Sequence, residues 1–217
     1  MAYSPVRVIP SSLSAVVRDL PYWFVIGGHA VRCICPYRPN GEVDFGVRDP
    51  ASLADLLEQL GRTGTVEILE RSEDIVHLLW NEINVSIFVL RTLAPHVEDR
   101  RLNVTGILAT KLHAILDRGT RRDFFDLYVT LEHHRLGAAE CLAAMRAVYG
   151  PKINEPLLLR ALTYFEDAER EAPLPGEGGR DWETVKEYFQ EVVAHLLLPP
   201  PQPLEIQAQR VDVQDEA

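Results

Sequence analysis

The stretch from Trp23 to Val47, WFVIGGHAVRCICPYRPNGEVDFGV, constrains the fold of this chain more than any other. It predicts a buried strand over Phe24, Val25 and Ile26, a Gly27-Gly28 turn, and a helix that begins with His29, Ala30 and Val31. A loop through Pro36 and Pro39 then leads to a second strand carrying Glu42 and Asp44. Side chains on a strand alternate between faces, so Glu42 and Asp44 point one way while Val43 and Phe45 enter a core. Two carboxylates on one face suit a hard divalent cation, magnesium with manganese as an alternative, that keeps open positions for phosphate oxygens. The glycine pair suits phosphate too. Backbone without Cβ atoms can approach an anion closely, and the helix that follows aims N–H groups at it. Taken singly these features have ordinary readings, a tight turn for Gly-Gly and a solvated face for E-x-D. Their succession within one segment points to metal-assisted chemistry on a nucleoside triphosphate.

With 217 residues and 47% hydrophobic content, the chain can bury a sizeable core in one large or two small domains. No apolar run approaches the roughly 20 residues that span a bilayer. The first residues lack a basic-then-apolar leader, so the expectation is a cytoplasmic protein without membrane contact. Cys33, Cys35 and Cys141 contain no C-x-x-C pair and are read as reduced packing residues. A formal charge of −10 disfavours general nucleic-acid binding. The charge is unevenly spread, however: Arg91, Arg100, Arg101, Lys111, Arg118, Arg121 and Arg122 make the middle of the chain basic, and the region from Glu166 onward is acidic.

Around the central segment, Ser11 and Ser12 predict the start of a helix over Leu13 to Leu20. Asp49-Pro50 opens a packing helix striped by Leu53, Leu56, Leu57 and Leu60, with Gly61 closing it. Three strands are expected at Thr65–Leu69, Ile75–Trp80 and Glu82–Leu90. From Thr105 the periodicity turns helical, with helices expected over Ile107–Arg118, Arg122–His134, Ala138–Val148, Asn154–Glu166 and Asp181–Leu198. The fold class is therefore α/β (α+β): a small mixed-sheet domain over residues 1–104 and a helical domain over 105–198 that completes the site. Residues 199–217, proline-rich and then acidic, have the composition of a disordered tail. His133-His134 at a helix end reads as a dipole partner, and His29 beside the glycines as a substrate contact or a buried histidine.

A second motif lies in the basic region, in ILATKLHAILDRGTRRDFFDLY. On a helix from Ile107, Lys111 and Arg118 share one face at i and i+7, and Arg122, Asp123 and Asp126 open the next helix. Spacing alone also allows a solvated edge with an Arg–Asp pair. The pattern I-x3-K-x2-A-x3-R-x3-R-D-x2-D is met at Ile107, Lys111, Ala114, Arg118, Arg122, Asp123 and Asp126. In this the chain resembles the AbiEii-type nucleotidyltransferase toxins, including the MenT group, of the polymerase-beta-like nucleotidyltransferase superfamily. The family's first motif, Gly-Ser, a spacer and D-x-D, is met more loosely: Gly28 stands for serine and Glu42 for the first aspartate, across a longer spacer. Ser86, in INVSIFVL, stands where the superfamily often has a third carboxylate.

The resemblance implies a nucleotidyltransferase-type α/β domain and transfer of a nucleoside monophosphate from a nucleoside triphosphate to an acceptor. A tRNA 3′ end is the acceptor it suggests, and an adjacent winged-helix antitoxin the partner. Glu42 and Asp44 would hold the metal, with Gly27, Gly28, Arg38, Lys111, Arg118 and Arg122 around the nucleotide. Asp44, Lys111 and Asp123 would be the catalytic residues. The alternative, favoured by Ser86 and by the acidic balance of the chain, is a nucleotidyltransferase fold that binds a nucleotide or a protein and transfers nothing.

Overall fold

A computed structural model describes residues 3–198. The chain begins with two short helices, α1 (Pro5–Val8) and α2 (Ser11–Val17), followed by the central segment β1 (Trp23–Val25), α3 (Gly27–Ile34) and β2 (Glu42–Val47). Then come α4 (Pro50–Thr63), β3 (Val66–Arg71), β4 (Ile75–Trp80) and β5 (Ile83–Val89). A 3-10 turn over Arg91–His96 leads to β6 (Val97–Glu98) and β7 (Arg101–Leu102). The remainder is helical: α5 (Val104–Asp117), α6 (Arg121–His134), α7 (Ala138–Tyr149), α8 (Glu155–Leu162), α9 (Glu166–Glu169) and α10 (Asp181–Leu197). A mixed sheet followed by helices is the α/β (α+β) class read from the sequence.

The strands form one sheet in the order β3-β4-β5-β2-β1-β7-β6. Strand β2 runs antiparallel to β1 and parallel to β5, which places Asp44 directly opposite Ser86. Alternation along β1 divides the interior. Trp23 and Val25 join a core with Leu13, Val17, Leu53, Leu56 and Leu60 on one face, and Phe24 between them joins the core of the helices on the other. Phe24 lies across β2 at Gly46, where a Cβ would stand 2.2 Å from its ring. Along β2, Val43 and Phe45 are buried as their parity requires, while Glu42 is exposed.

Several boundaries differ from the sequence reading. The first of the expected helices spans Ser11–Val17, and no side chain caps it. The glycines do not precede α3 but form its first two residues. Helix α4 runs through Gly61 to Thr63, because Asp49 caps its start and the leucine stripe holds its length. The segment expected as one helix over 154–166 is divided, since Thr163 leaves the helical backbone after Leu162. Strands β6 and β7, of 2 residues each, are too short to leave an alternation in the sequence. The proline-rich tail lies outside the described residues.

In the helical half, Phe124 is fully buried and meets the rings of Phe165, Trp182 and Phe189 at centroid distances of 5.2, 5.8 and 5.6 Å. Truncation there leaves a cavity among rigid aromatics that cannot collapse onto it. Phe124→Ala is expected to cost about 3–5 kcal/mol, read as a lowered urea midpoint.

Candidate active site

The end of β1 and the middle of β2 are tied where the backbone N–H of Ile26 donates to the carbonyl of Asp44 at 3.1 Å. The chain enters α3 at Gly27 with φ +55°, and a Cβ there would stand 2.7 Å from Asp44 Oδ2. Both the left-handed backbone and the approach of the carboxylate therefore require glycine. At Gly28, a Cβ would meet Asn40 Nδ2 at 2.3 Å and Arg38 Nη2 at 2.9 Å. Side chains of the loop before β2 thus fill the place where a serine would otherwise project, which accounts physically for Gly28. Asn40 also donates from Nδ2 to Nδ1 of His29 at 3.1 Å. His29 is fully buried, and burial, aided by the charges of Arg32 and Arg38, pushes its pKa down to about 4. It is a neutral core histidine under the glycine turn.

Burial, and then the charge of Glu42, push the Asp44 carboxyl up to about 6, opposed by the charges of Lys111, Arg122 and Arg118. Both sequence motifs therefore act on one carboxylate. A carboxyl whose pKa is raised by folding costs stability as pH rises from about 4, the unfolded aspartate value, and the cost is complete above about 6; a bound cation would relieve the repulsion. The donor set fits a hard divalent ion, because Glu42 and Asp44 offer oxygen alone. Among the described residues no group of three or more His, Cys, Asp or Glu side chains is gathered. Two carboxylates with the remaining positions left to water and phosphate oxygens is the usual arrangement for magnesium.

The second motif folds inward. The Nζ of Lys111 lies 3.2 Å from Asp123 Oδ1 and 2.6 Å from Asp126 Oδ2. Arg118, at the end of α5, grips Asp123 with Nε at 2.8 Å and Nη2 at 3.0 Å, a two-pronged contact, and the Thr120 hydroxyl donates to the same carboxylate. Asp126 accepts from Arg38 Nη2 at 2.9 Å and Nε at 3.2 Å, and from the Tyr37 hydroxyl. Burial opposes ionisation of both carboxylates, yet their partners outweigh it. Arg118, Lys111 and Thr120 hold Asp123 well below the usual range, and Lys111 and Arg38 do the same for Asp126.

These positions modify the helical-face expectation. Lys111 does not project with Arg118 from an open face; its side chain is 6% exposed, against 47% for Arg118. The turn at Gly119 carries α6 back alongside α5, so the acids of α6 close over the lysine. Arg122 is exposed. Its neighbour Arg121 is buried against Trp182, 4.5 Å from the ring centre, with Nε donating to Glu177 at 2.9 Å, and it anchors the start of α6. Tyr37 and His77 were not distinguished by any sequence spacing. The partner of Tyr37 comes from α6, far away in the chain, and that of His77 from the neighbouring strand β5. Ser86 is buried opposite Asp44 and donates to Glu42 Oε1 at 2.7 Å. His133 and His134 stack edge-on at 4.9 Å, both exposed at the far end of α6. The three cysteines are free thiols. Among the described residues no helix is long and apolar enough to cross a membrane.

The mixed sheet followed by helices is a fold that solved structures share. A crystal structure from H. pylori, of a protein assigned to the nucleotidyltransferases, superposes with a TM-score of 0.51 at 15% identity, covering 86% of this chain and 92% of that one. The solution structure of the antibiotic-resistance factor ANT(2'')-Ia superposes with a TM-score of 0.50 at 13% identity, covering 65% of this chain and 89% of that one. At such identities the likeness concerns the fold. The chain belongs to the family described as nucleotidyl transferase AbiEii toxin, type IV TA system, which matches residues 83–203, more than half its length. The matched span holds Ser86, Lys111, Arg118, Arg122, Asp123 and Asp126. The uncharacterized protein aq_aa25 of Aquifex aeolicus (strain VF5) is 27% identical over 186 residues, 81% of this chain and 88% of the relative.

The buried cluster yields two expectations. Lys111→Ala leaves two buried carboxylates short of a partner and should lower unfolding free energy by about 3–5 kcal/mol in a denaturant titration. The pH dependence follows from the depressed carboxyls. With folded pKa values below the unfolded ones, Asp123 and Asp126 stabilise the fold above about pH 4, the unfolded aspartate value, and that contribution is lost as pH falls further. Asp126→Asn should be less stable at pH 7, yet lose stability less steeply than the native chain between about pH 4 and pH 2.

Proposed function

We propose that this chain transfers a nucleoside monophosphate from a nucleoside triphosphate to an acceptor hydroxyl, with pyrophosphate leaving. The observation that carries the reading is Asp44, held against the Gly27 backbone and subject to the charges of Lys111, Arg118 and Arg122. Membership of a nucleotidyltransferase family supports transferase chemistry. Glu42 and Asp44 would hold magnesium, or manganese, which when bound neutralises charge on the triphosphate. Gly27 lets the first turn of α3, which no side chain caps, approach the phosphates, while Gly28 packs that turn against Asn40 and Arg38. Arg118 and Arg122 offer exposed guanidinium groups to them, and Arg38 braces the turn from behind. Asp123 orients Arg118 and Lys111. The acceptor oxygen bonds to the α-phosphorus as the bond from phosphorus to the pyrophosphate oxygen breaks, and the hydroxyl proton passes to water. Positioning and charge neutralisation supply most of the rate for such a step.

In this reading residues 1–104 are the nucleotidyltransferase-like domain and 105–198 the helical domain that completes the site, since Lys111, Arg118 and Asp123 come from the latter. The family description supports the role of toxin in a toxin–antitoxin or phage-defence pair. The motif resemblance adds a tRNA 3′ end as first candidate acceptor and a winged-helix antitoxin as partner, with the cytoplasm as the place of action. A second reading, a nucleotide-binding module that transfers nothing, is favoured by Ser86 at the place of a third carboxylate.

Incubation of the chain with each labelled nucleoside triphosphate, magnesium and total tRNA separates the two. The first reading expects labelled acceptor, lost on Asp44→Asn and reduced at least about a hundredfold by Asp123→Ala, the size expected for losing preorganised charge. Triphosphate binding without labelling of any acceptor would establish the second.

A further inference from the structure

We propose that Ser86 and His77 form a hydrogen-bonded arm that positions Glu42 as a cation ligand, an inference that rests on the cation reading of Glu42 and Asp44. Ser86 is 1% exposed, between Val85 and Ile87 of β5, where a hydroxyl needs partners. It finds two. Its Oγ lies 2.7 Å from Glu42 Oε1 and 2.7 Å from His77 Nδ1. A hydroxyl has one hydrogen, and the carboxylate, which is only an acceptor, receives it. His77 must then donate, so the proton sits on Nδ1 and the tautomer is fixed. The geometry spans three adjacent strands: His77 is opposite Ser86 between β4 and β5, and Ser86 is opposite Asp44 between β5 and β2, with Glu42 two residues before Asp44 on the same face. The imidazole is held by Phe88, edge to face at 5.6 Å and 81°.

Glutamate on an exposed strand position has three free torsions, and ordering them opposes ligation. With Oε1 held by Ser86, the carboxylate direction is fixed and Oε2 is left for a ligand. Ser86 and His77 are positioning residues in this account, acting through Glu42. Outer-shell partners of this kind are worth about 10–100-fold in metal affinity. The competing account is that Glu42 merely satisfies a buried serine, with no consequence for ligation.

The test is Mn2+ titration of the full chain, read from the electron paramagnetic resonance signal of free Mn2+, with thermal unfolding as the control for folding. Ser86→Ala should weaken binding at least about tenfold. His77→Phe keeps the ring against Phe88 but has no donor, and should weaken it in the same direction. His77→Asn keeps an N–H near the Nδ1 position and should bind within about twofold of the native chain, a split that loss of packing alone would not give. Folded Ser86→Ala with native affinity overturns the proposal, as does His77→Asn falling as far as His77→Phe. If Ser86→Ala does not fold, the two His77 variants decide. Asp44→Asn separates the underlying reading: should the native chain bind no Mn2+, or Asp44→Asn bind it equally well, the cation assignment fails and this proposal with it. Native binding that Asp44→Asn abolishes and Ser86→Ala leaves intact refutes the arm alone.

Discussion

The arrangement on which the site depends is the buried pairing of Lys111 with Asp123 and Asp126. Taking charges out of water costs several kcal/mol each, and pairs recover this only when every member is satisfied. Here three cations, Lys111, Arg118 and Arg38, meet two carboxylates, and each carboxylate has two cationic partners. The cluster ties together the loop before β2, helix α5 and helix α6. It also carries an excess of one positive charge beside Asp44. One set of contacts thus fixes the relation between the strand half and the helical half and supplies the field acting on the acids.

Asp44 stands at the opposite balance. Burial and Glu42 disfavour its charge, and the cations behind it only partly compensate. A site that is electrostatically incomplete in one place and over-satisfied in another is suited to take up a cation together with a polyanion. The glycine turn is shaped by the same carboxylate, since Gly27 has no room for a side chain next to Asp44 Oδ2. Gly28 has no room for a side chain for a different reason: Asn40 and Arg38 occupy the neighbouring space, and Arg38 continues to Asp126. The glycine turn and the buried cluster are consequently mechanically connected through one arginine.

Away from the chemistry, the start of α6 is held independently. Arg121 is clamped by Glu177 and Trp182, and its backbone N–H donates to Glu171 at 2.9 Å. Asp123 sits two residues further on, so the loop before α10 helps define where the cluster's main carboxylate lies. The adjacent arginines at 121 and 122 divide the work, one anchoring the helix and the other left in solvent.

The sequence by itself determined the strand carrying Glu42 and Asp44, the burial of Val43 and Phe45, the leucine stripe of α4 and the helical second half, because each is a local periodicity that burial on one face enforces. The spacing from Ile107 to Asp126 also marked the family. The tertiary structure decided what those residues meet. Lys111 reads as a projecting cation at helical spacing, yet the return of α6 across α5 encloses it. Tyr37 and Arg121 carry no local signature, since their partners Asp126 and Glu177 lie 89 and 56 residues away. Strand register likewise placed Ser86 opposite Asp44 and against Glu42. Such pairings are fixed by how strands and helices pack, a long-range property that no local pattern of side chains encodes.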